Sequence, residues 1–220
     1  MSIATLLLGE SGTGKTTSLR NLDPSKTLLV QAVKKPLPFR STGWQLVTKD
    51  NPQGSVFVTD KAAKIVSAIE RTKKPIIVID DFQYTMSNEF MRRVLDKETG
   101  NQAFAKYNEI ARAAWDILNA ASNASEDKRV YILSHTQTDD SGHTKIKTIG
   151  KLLDEKITIE GLVTIVMRTH RINGNYVFST KNDGNDTVKT PLGLFDDEHI
   201  PNDLAEVDAK IIEYFGLTGV

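Results

Sequence analysis

The chain has 220 residues and a mass of 24.4 kDa, enough for one domain with a full hydrophobic core. Hydrophobic residues make up 39% and charged residues 25%, which excludes collagen-like, coiled-coil and wholly disordered chains. Lys+Arg and Asp+Glu both number 28 and Cys is absent, which excludes a disulfide framework, a thiolate metal site and a cysteine nucleophile. The longest apolar stretches, Ile3–Leu8 and Ile76–Ile79, are too short to span a bilayer. The opening MSIATLLLGE lacks the basic start of a signal peptide. The expectation is a cytoplasmic protein with no membrane partner.

Apolar runs bounded by turn signals predict strands at Ile3–Leu8, Thr27–Gln31, Val56–Thr59, Pro75–Asp80, Arg129–Ser134, Val163–Arg168 and Tyr176–Thr180. Helical patterns lie between the early ones, at Gly14–Leu22, Lys61–Arg71 and Gln102–Ser122. In the last of these Phe104, Tyr107, Ala111, Ala114, Leu118 and Ala121 form an apolar stripe at spacings of three and four. Strand–helix–strand alternation predicts an α/β fold with a parallel sheet covered on both faces. The last two strands flank Asn173–Gly174–Asn175 and read as a hairpin. Asp203–Phe215 reads as a closing helix. Lys34–Trp44 and Thr136–Leu153 are the two longest loop-like stretches, the kind that carry function. No boundary divides the chain, so residues 1–220 are expected to form a single domain.

Residues Gly9–Thr16 read GESGTGKT and match G-x-x-x-x-G-K-[ST], a string that arises by chance in roughly 1% of chains this long. A strand precedes it and a helical pattern follows, the context the motif requires. Gly9, Gly12 and Gly14 permit backbone turns in which the N–H groups of Glu10, Ser11, Thr13 and their neighbours face a phosphate. Lys15 is expected to reach the β- and γ-phosphate oxygens, Thr16 to ligate Mg²⁺, and Thr17 to close the binding set. The chemistry is that of a nucleoside triphosphate site with Mg²⁺. Downstream, PIIVIDD is a buried-type strand ending in two acids. Asp80 is expected to hold the metal's water shell and Asp81 to polarise the attacking water.

Charge is unevenly spread. Residues 1–45 carry Lys15, Arg20, Lys26, Lys34, Lys35 and Arg40 against Glu10 and Asp23. Residues 196–213 carry seven acids against Lys210. Such asymmetry steers a polyanion to one face, pairs neighbouring subunits, or marks two solvated faces. Phe39 and Trp44 beside Lys34, Lys35 and Arg40 fit either a base-stacking platform or a loop anchored in the core. His135, Asp139, Asp140 and His143 have a spacing that fits no recognised metal set.

The order GESGTGKTT, KKPLPFR, IIVIDDFQY, VYILSHTQT, a hairpin with FSTKN and a closing PLGLF resembles the short bacteriophage ATPases that retain only a RecA-like core, among them the phage single-strand annealing proteins of the Sak group. The resemblance covers nearly the whole chain. It implies a RecA-like P-loop NTPase with a mostly parallel sheet, helices on both faces and a C-terminal β-hairpin. The implied role is an ATPase acting on single-stranded DNA in phage recombination or replication. Lys15, Thr16 and Asp80 match nucleotide and metal positions. Gln137 resembles the polar residue that senses the γ-phosphate, and Thr138–Leu153 the DNA loop, with Lys145, Lys147 and Lys151 for phosphates. Lys181 resembles the residue that reaches a neighbour's γ-phosphate, which implies a head-to-tail homo-oligomeric ring or filament. The family's catalytic glutamate is missing: the relevant strand reads LLVQAVKKP, so either Asp81 or Asp60 substitutes, or hydrolysis is slow. Two further readings compete, a nucleotide-switched assembly adaptor with negligible turnover and a small nucleotide kinase. The lysine-only stretch Thr136–Leu153 weighs against the kinase, whose lid wants arginine.

Overall fold

A computed structural model describes residues 2–96, 101–126 and 128–217. Its main feature is an eight-stranded sheet built on the apolar runs. The parallel strands are β1 (Ile3–Leu8), β2 (Thr27–Gln31), β3 (Val56–Val58), β4 (Ile76–Asp80), β5 (Arg129–Ser134) and β8 (Ile165–Ile172). Antiparallel β9 (Asn175–Ser179) and β10 (His199–Pro201) extend one edge. The order across the sheet is β10-β9-β8-β1-β5-β4-β2-β3. One strand, β5, therefore stands between β1 and β4, which carry the phosphate loop and the acid pair. A small separate hairpin pairs β6 (Thr136–Thr138) with β7 (Thr144–Ile146).

The central strands are apolar on both faces because both faces are covered. Leu6, Leu8, Ile77, Ile79, Val130 and Ile132 pack beneath α1 (Ala62–Arg71) and α3 (Asn101–Ser122). Leu7, Leu29, Val78, Leu133, Met167 and Phe178 pack with Leu19, Leu204, Val207 and Ile211 on the opposite side, where α4 (Leu204–Phe215) lies. Asp203 caps α4 by accepting from the Ala205 amide at 3.0 Å, and Gly216 ends it in the left-handed conformation. Asp208 of α4 is bound by Arg129 Nε at 2.8 Å and by the Tyr131 hydroxyl at 2.5 Å. That buried cluster ties α4 to β5, whose far end enters the site.

Several expectations need correction. The segment after the phosphate loop forms only a 3-10 helix over Thr16–Asn21. A further helix, α2 (Gln83–Arg92), follows the acid pair, where the sequence suggested none. Its face is mostly polar, with only Thr85 and Met86 buried, so no apolar stripe marks it. Within Thr136–Leu153, expected to be loop, lies the β6–β7 hairpin. Phe104, placed in the apolar stripe of α3, is exposed, because the buried stripe begins only at Ile110. Phe39 and Trp44 meet edge-to-face with ring centres 6.2 Å apart and pack on the core, the anchoring alternative. Among the described residues no helix is long and apolar enough to cross a membrane.

Candidate functional site

The C-terminal ends of β1, β4 and β5 bring the motif residues together, the usual ligand position of an open parallel sheet. Gly9 follows β1, and its amide donates to Ser134 O at 3.2 Å, docking the loop on β5. A Cβ added at Gly9 would stand 2.0 Å from Thr169 Oγ1, so the loop can pass β8 only without a side chain there. Thr13 Oγ1 and Thr169 Oγ1 are hydrogen-bonded at 2.6 Å, which pins the loop's crest to β8. Gly12 and Gly14 have φ of 81° and 98°, the left-handed region that the turn demands. Glu10 and Ser11 at the tip are exposed, and Thr17 is half-buried beside Thr16.

Lys15 is buried, and its ammonium donates to Gly9 O and Glu10 O at 2.7 and 2.8 Å. Burial lowers its pKa to about 8, against the opposing pull of Asp81 and Asp80. The Thr16 hydroxyl donates to Asp80 at 3.0 and 3.1 Å to the two carboxylate oxygens. Asp80 is 1% exposed, and burial together with the neighbouring Asp81 charge raises its pKa to about 6. A buried carboxylate beside another, with a hydroxyl oxygen in contact, is a set of hard oxygen donors. That donor chemistry fits Mg²⁺.

Asp81 is buried and takes a φ of 59°, a left-handed conformation that a non-glycine residue rarely adopts. The Lys35 ammonium binds its Oδ2. His135 Nε2 stands 3.8 Å from its Oδ1. Burial, then the Lys15 charge, holds His135 below the usual histidine range, so its ring is neutral at pH 7. The ring also meets Tyr84 edge-to-face at 6.0 Å. Lys35 is held above its ordinary range: burial opposes this, but the Asp81 hydrogen bond and the Asp80 charge outweigh it.

Of the expected site residues, Lys15, Thr16, Asp80 and Asp81 converge. Gln137 does not join them, since its amide donates to Asp154 at 2.9 Å. The residue at the end of β5 that faces the acids is His135. Asp60 is engaged elsewhere, by Asn88 and by Arg92, each at 2.8 Å. Lys145 lies opposite Gln137 in the hairpin and pairs with Asp154 at 2.8 Å. Lys147 is exposed, and its amide donates to His135 O at 2.8 Å, so the hairpin ladder runs directly into the site. Lys151 is 90% exposed and lies 3.9 Å from Glu155. Lys181 is exposed just past the C-terminal end of β9, which is flanked by β8 and β10, with its ammonium on Asp196 O. Sequence reasoning missed Lys35 and His135 as site members. Their only linear signal is position, since each follows the C-terminal end of a parallel strand.

The loop, the strand order and the acid pair define an α/β P-loop NTPase fold. No protein-family model and no curated protein matches the chain. Among solved structures it is similar to the X-ray structure of the Legionella pneumophila ATPase DotB, at 13% identity and a TM-score of 0.36. That similarity covers 83% of this chain and 46% of DotB, so the chain spans less than half of that protein's length.

Proposed function

We propose that the chain binds ATP with Mg²⁺ and hydrolyses it. The observation that carries this reading is the contact between Thr16, at the start of the 3-10 helix, and Asp80, at the end of β4, beside a buried Lys15 in a GESGTGKT loop. The loop amides and Lys15 would cradle the β- and γ-phosphates. Thr16 and Asp80 would hold the metal, which when bound neutralises charge on those phosphate oxygens. Asp81, one residue beyond, offers a carboxylate to orient water and accept its proton. Lys35 occupies one oxygen of that carboxylate, which favours slow turnover until the pair is rearranged.

The finer reading is action on single-stranded DNA in phage recombination or replication, with ATP bound between subunits of a head-to-tail assembly. It rests on the sequence resemblance and on the hairpin that leaves the site at His135 carrying Lys145 and Lys147. The test is ATP hydrolysis with and without single-stranded DNA, with product analysis for phosphorylated nucleotides. DNA-stimulated release of ADP and phosphate is expected. A phosphorylated nucleotide acceptor would instead make the chain a kinase. Tight ATP binding with no turnover under either condition would make it a switch.

A further inference from the structure

Lys35 has a place in the site and no part in the phosphate-loop motif. It follows β2, and its main-chain carbonyl accepts from Gln31 Nε2 at 3.2 Å. Gln31 is itself buried and stands opposite Asp80 in the β2–β4 register. The backbone of Lys35 is thus anchored at the level of the acids. Its side chain is 41% exposed and ends on Asp81. The ammonium also feels Asp80, and Lys15 feels the Lys35 charge, so the four groups share one electrostatic neighbourhood. Two lysines there face two carboxylates. A lysine with a fixed carbonyl and a half-exposed, four-carbon stem can change partners without moving the chain.

A terminal phosphate entering beside Lys15 brings further negative charge next to Asp80 and Asp81. Phosphoryl transfer calls for a cation beyond the loop lysine and the metal. Lys35 is a second ammonium already beside the acid pair and within the field of Lys15. Resting on the ATP reading above, we propose that Lys35 is the in-chain cation that recognises the γ-phosphate, giving up Asp81 to do so. The chain would then tell ATP from ADP through its own residue, and the exchange would leave Asp81 free to face water.

The test is the binding of ADP and of a β,γ-imido ATP analogue to the full chain with Mg²⁺, by titration calorimetry. Lys35→Ala is expected to weaken the triphosphate analogue by about tenfold to a hundredfold, the range for a charge-assisted hydrogen bond, and to leave ADP unchanged. Lys35→Arg should recover most of the loss. Asp81→Asn removes the competing partner and should raise affinity for the analogue relative to ADP. Equal weakening of both nucleotides by Lys35→Ala, or none, would overturn the assignment while leaving the ATP reading intact. Should Lys35→Ala not fold, Asp81→Asn decides: an unchanged ratio of the two affinities overturns the proposal. Wild-type protein that binds neither nucleotide would overturn the ATP reading and this one together.

Discussion

Gly9 and Thr169 approach so closely that a Cβ on Gly9 would stand 2.0 Å from Thr169 Oγ1. The same hydroxyl bonds Thr13 and donates to Leu8 O at 3.3 Å, so it cannot move aside without releasing the loop. Gly9→Ala should therefore destabilise the protein by about 1–3 kcal/mol, the cost of forcing an atom into a packed site. Thr169→Ala opens that space, and the double variant should recover part of the loss. Urea denaturation of the four proteins measures the coupling, and strict additivity would place the clash elsewhere.

Lys15→Ala removes the ammonium nearest the expected β- and γ-phosphates and should lower ATP turnover by about 10²–10³. Asp80→Asn should weaken Mg²⁺-dependent binding of ATP more than metal-free binding. Steady-state hydrolysis and nucleotide titrations with and without Mg²⁺ check both. Wild-type turnover in Lys15→Ala protein would remove the phosphate loop from the chemistry.

Much of this site was legible because its parts are local. The phosphate loop and the acid pair are short strings whose spacing is set by one turn and one strand end. The parallel strands were legible for a similar reason: Leu6–Leu8, Ile76–Ile79 and Val130–Leu133 are buried on both faces and read as unbroken apolar runs. What was not legible depends on distance in sequence. Lys35 meets Asp81, and His135 faces it, only because β2, β4 and β5 end side by side. The β6–β7 hairpin escaped notice because its three-residue strands, TQT and TKI, are polar and too short to show a period. The resemblance points Gln137 to the γ-phosphate, but its place in that hairpin turns its amide to Asp154.

The acid pair has a stability consequence with a definite sign. Asp80 is raised from 3.8 to about 6 by burial and by Asp81, so the folded state holds a proton there that the unfolded state has lost. Stability of the nucleotide-free, metal-free protein should therefore fall as pH rises from about 4 to about 6 through this group, and stay lowered above that. Asp80→Asn removes the effect and should stabilise the protein at pH 7, while impairing metal binding. Urea midpoints across pH for both proteins test this. Wild-type stability that rises relative to Asp80→Asn over that window would contradict the burial argument.

If Lys145 in the hairpin and Lys147 and Lys151 just beyond it track a DNA backbone, together they should set its salt dependence. Replacing all three with Ala should weaken binding to single strands regardless of sequence. It should also flatten the log–log salt slope by about two units, since each single-strand phosphate contact contributes about 0.7. Lys145 is already paired with Asp154, so its share should be the smallest of the three. Fluorescence anisotropy across a salt series measures this, and an unchanged slope would remove the hairpin from any DNA path.

The last expectation concerns assembly. Lys181 follows the C-terminal end of β9, and β8 stands between β9 and β1 in the sheet. Its ammonium rests on Asp196 O. From there it is poorly placed to serve its own phosphate loop and exposed to serve a neighbour's, as the proposed head-to-tail arrangement requires. Activity per molecule should then rise with protein concentration. Lys15→Ala and Lys181→Ala proteins, each inactive alone, should regain activity when mixed, because some interfaces then pair an intact loop with an intact lysine. Lys35 sharpens the test, because a cation already in the chain competes for the same role. Full activity in Lys181→Ala protein, with loss in Lys35→Ala, would assign the γ-phosphate to the in-chain lysine and make Lys181 an ordinary surface residue.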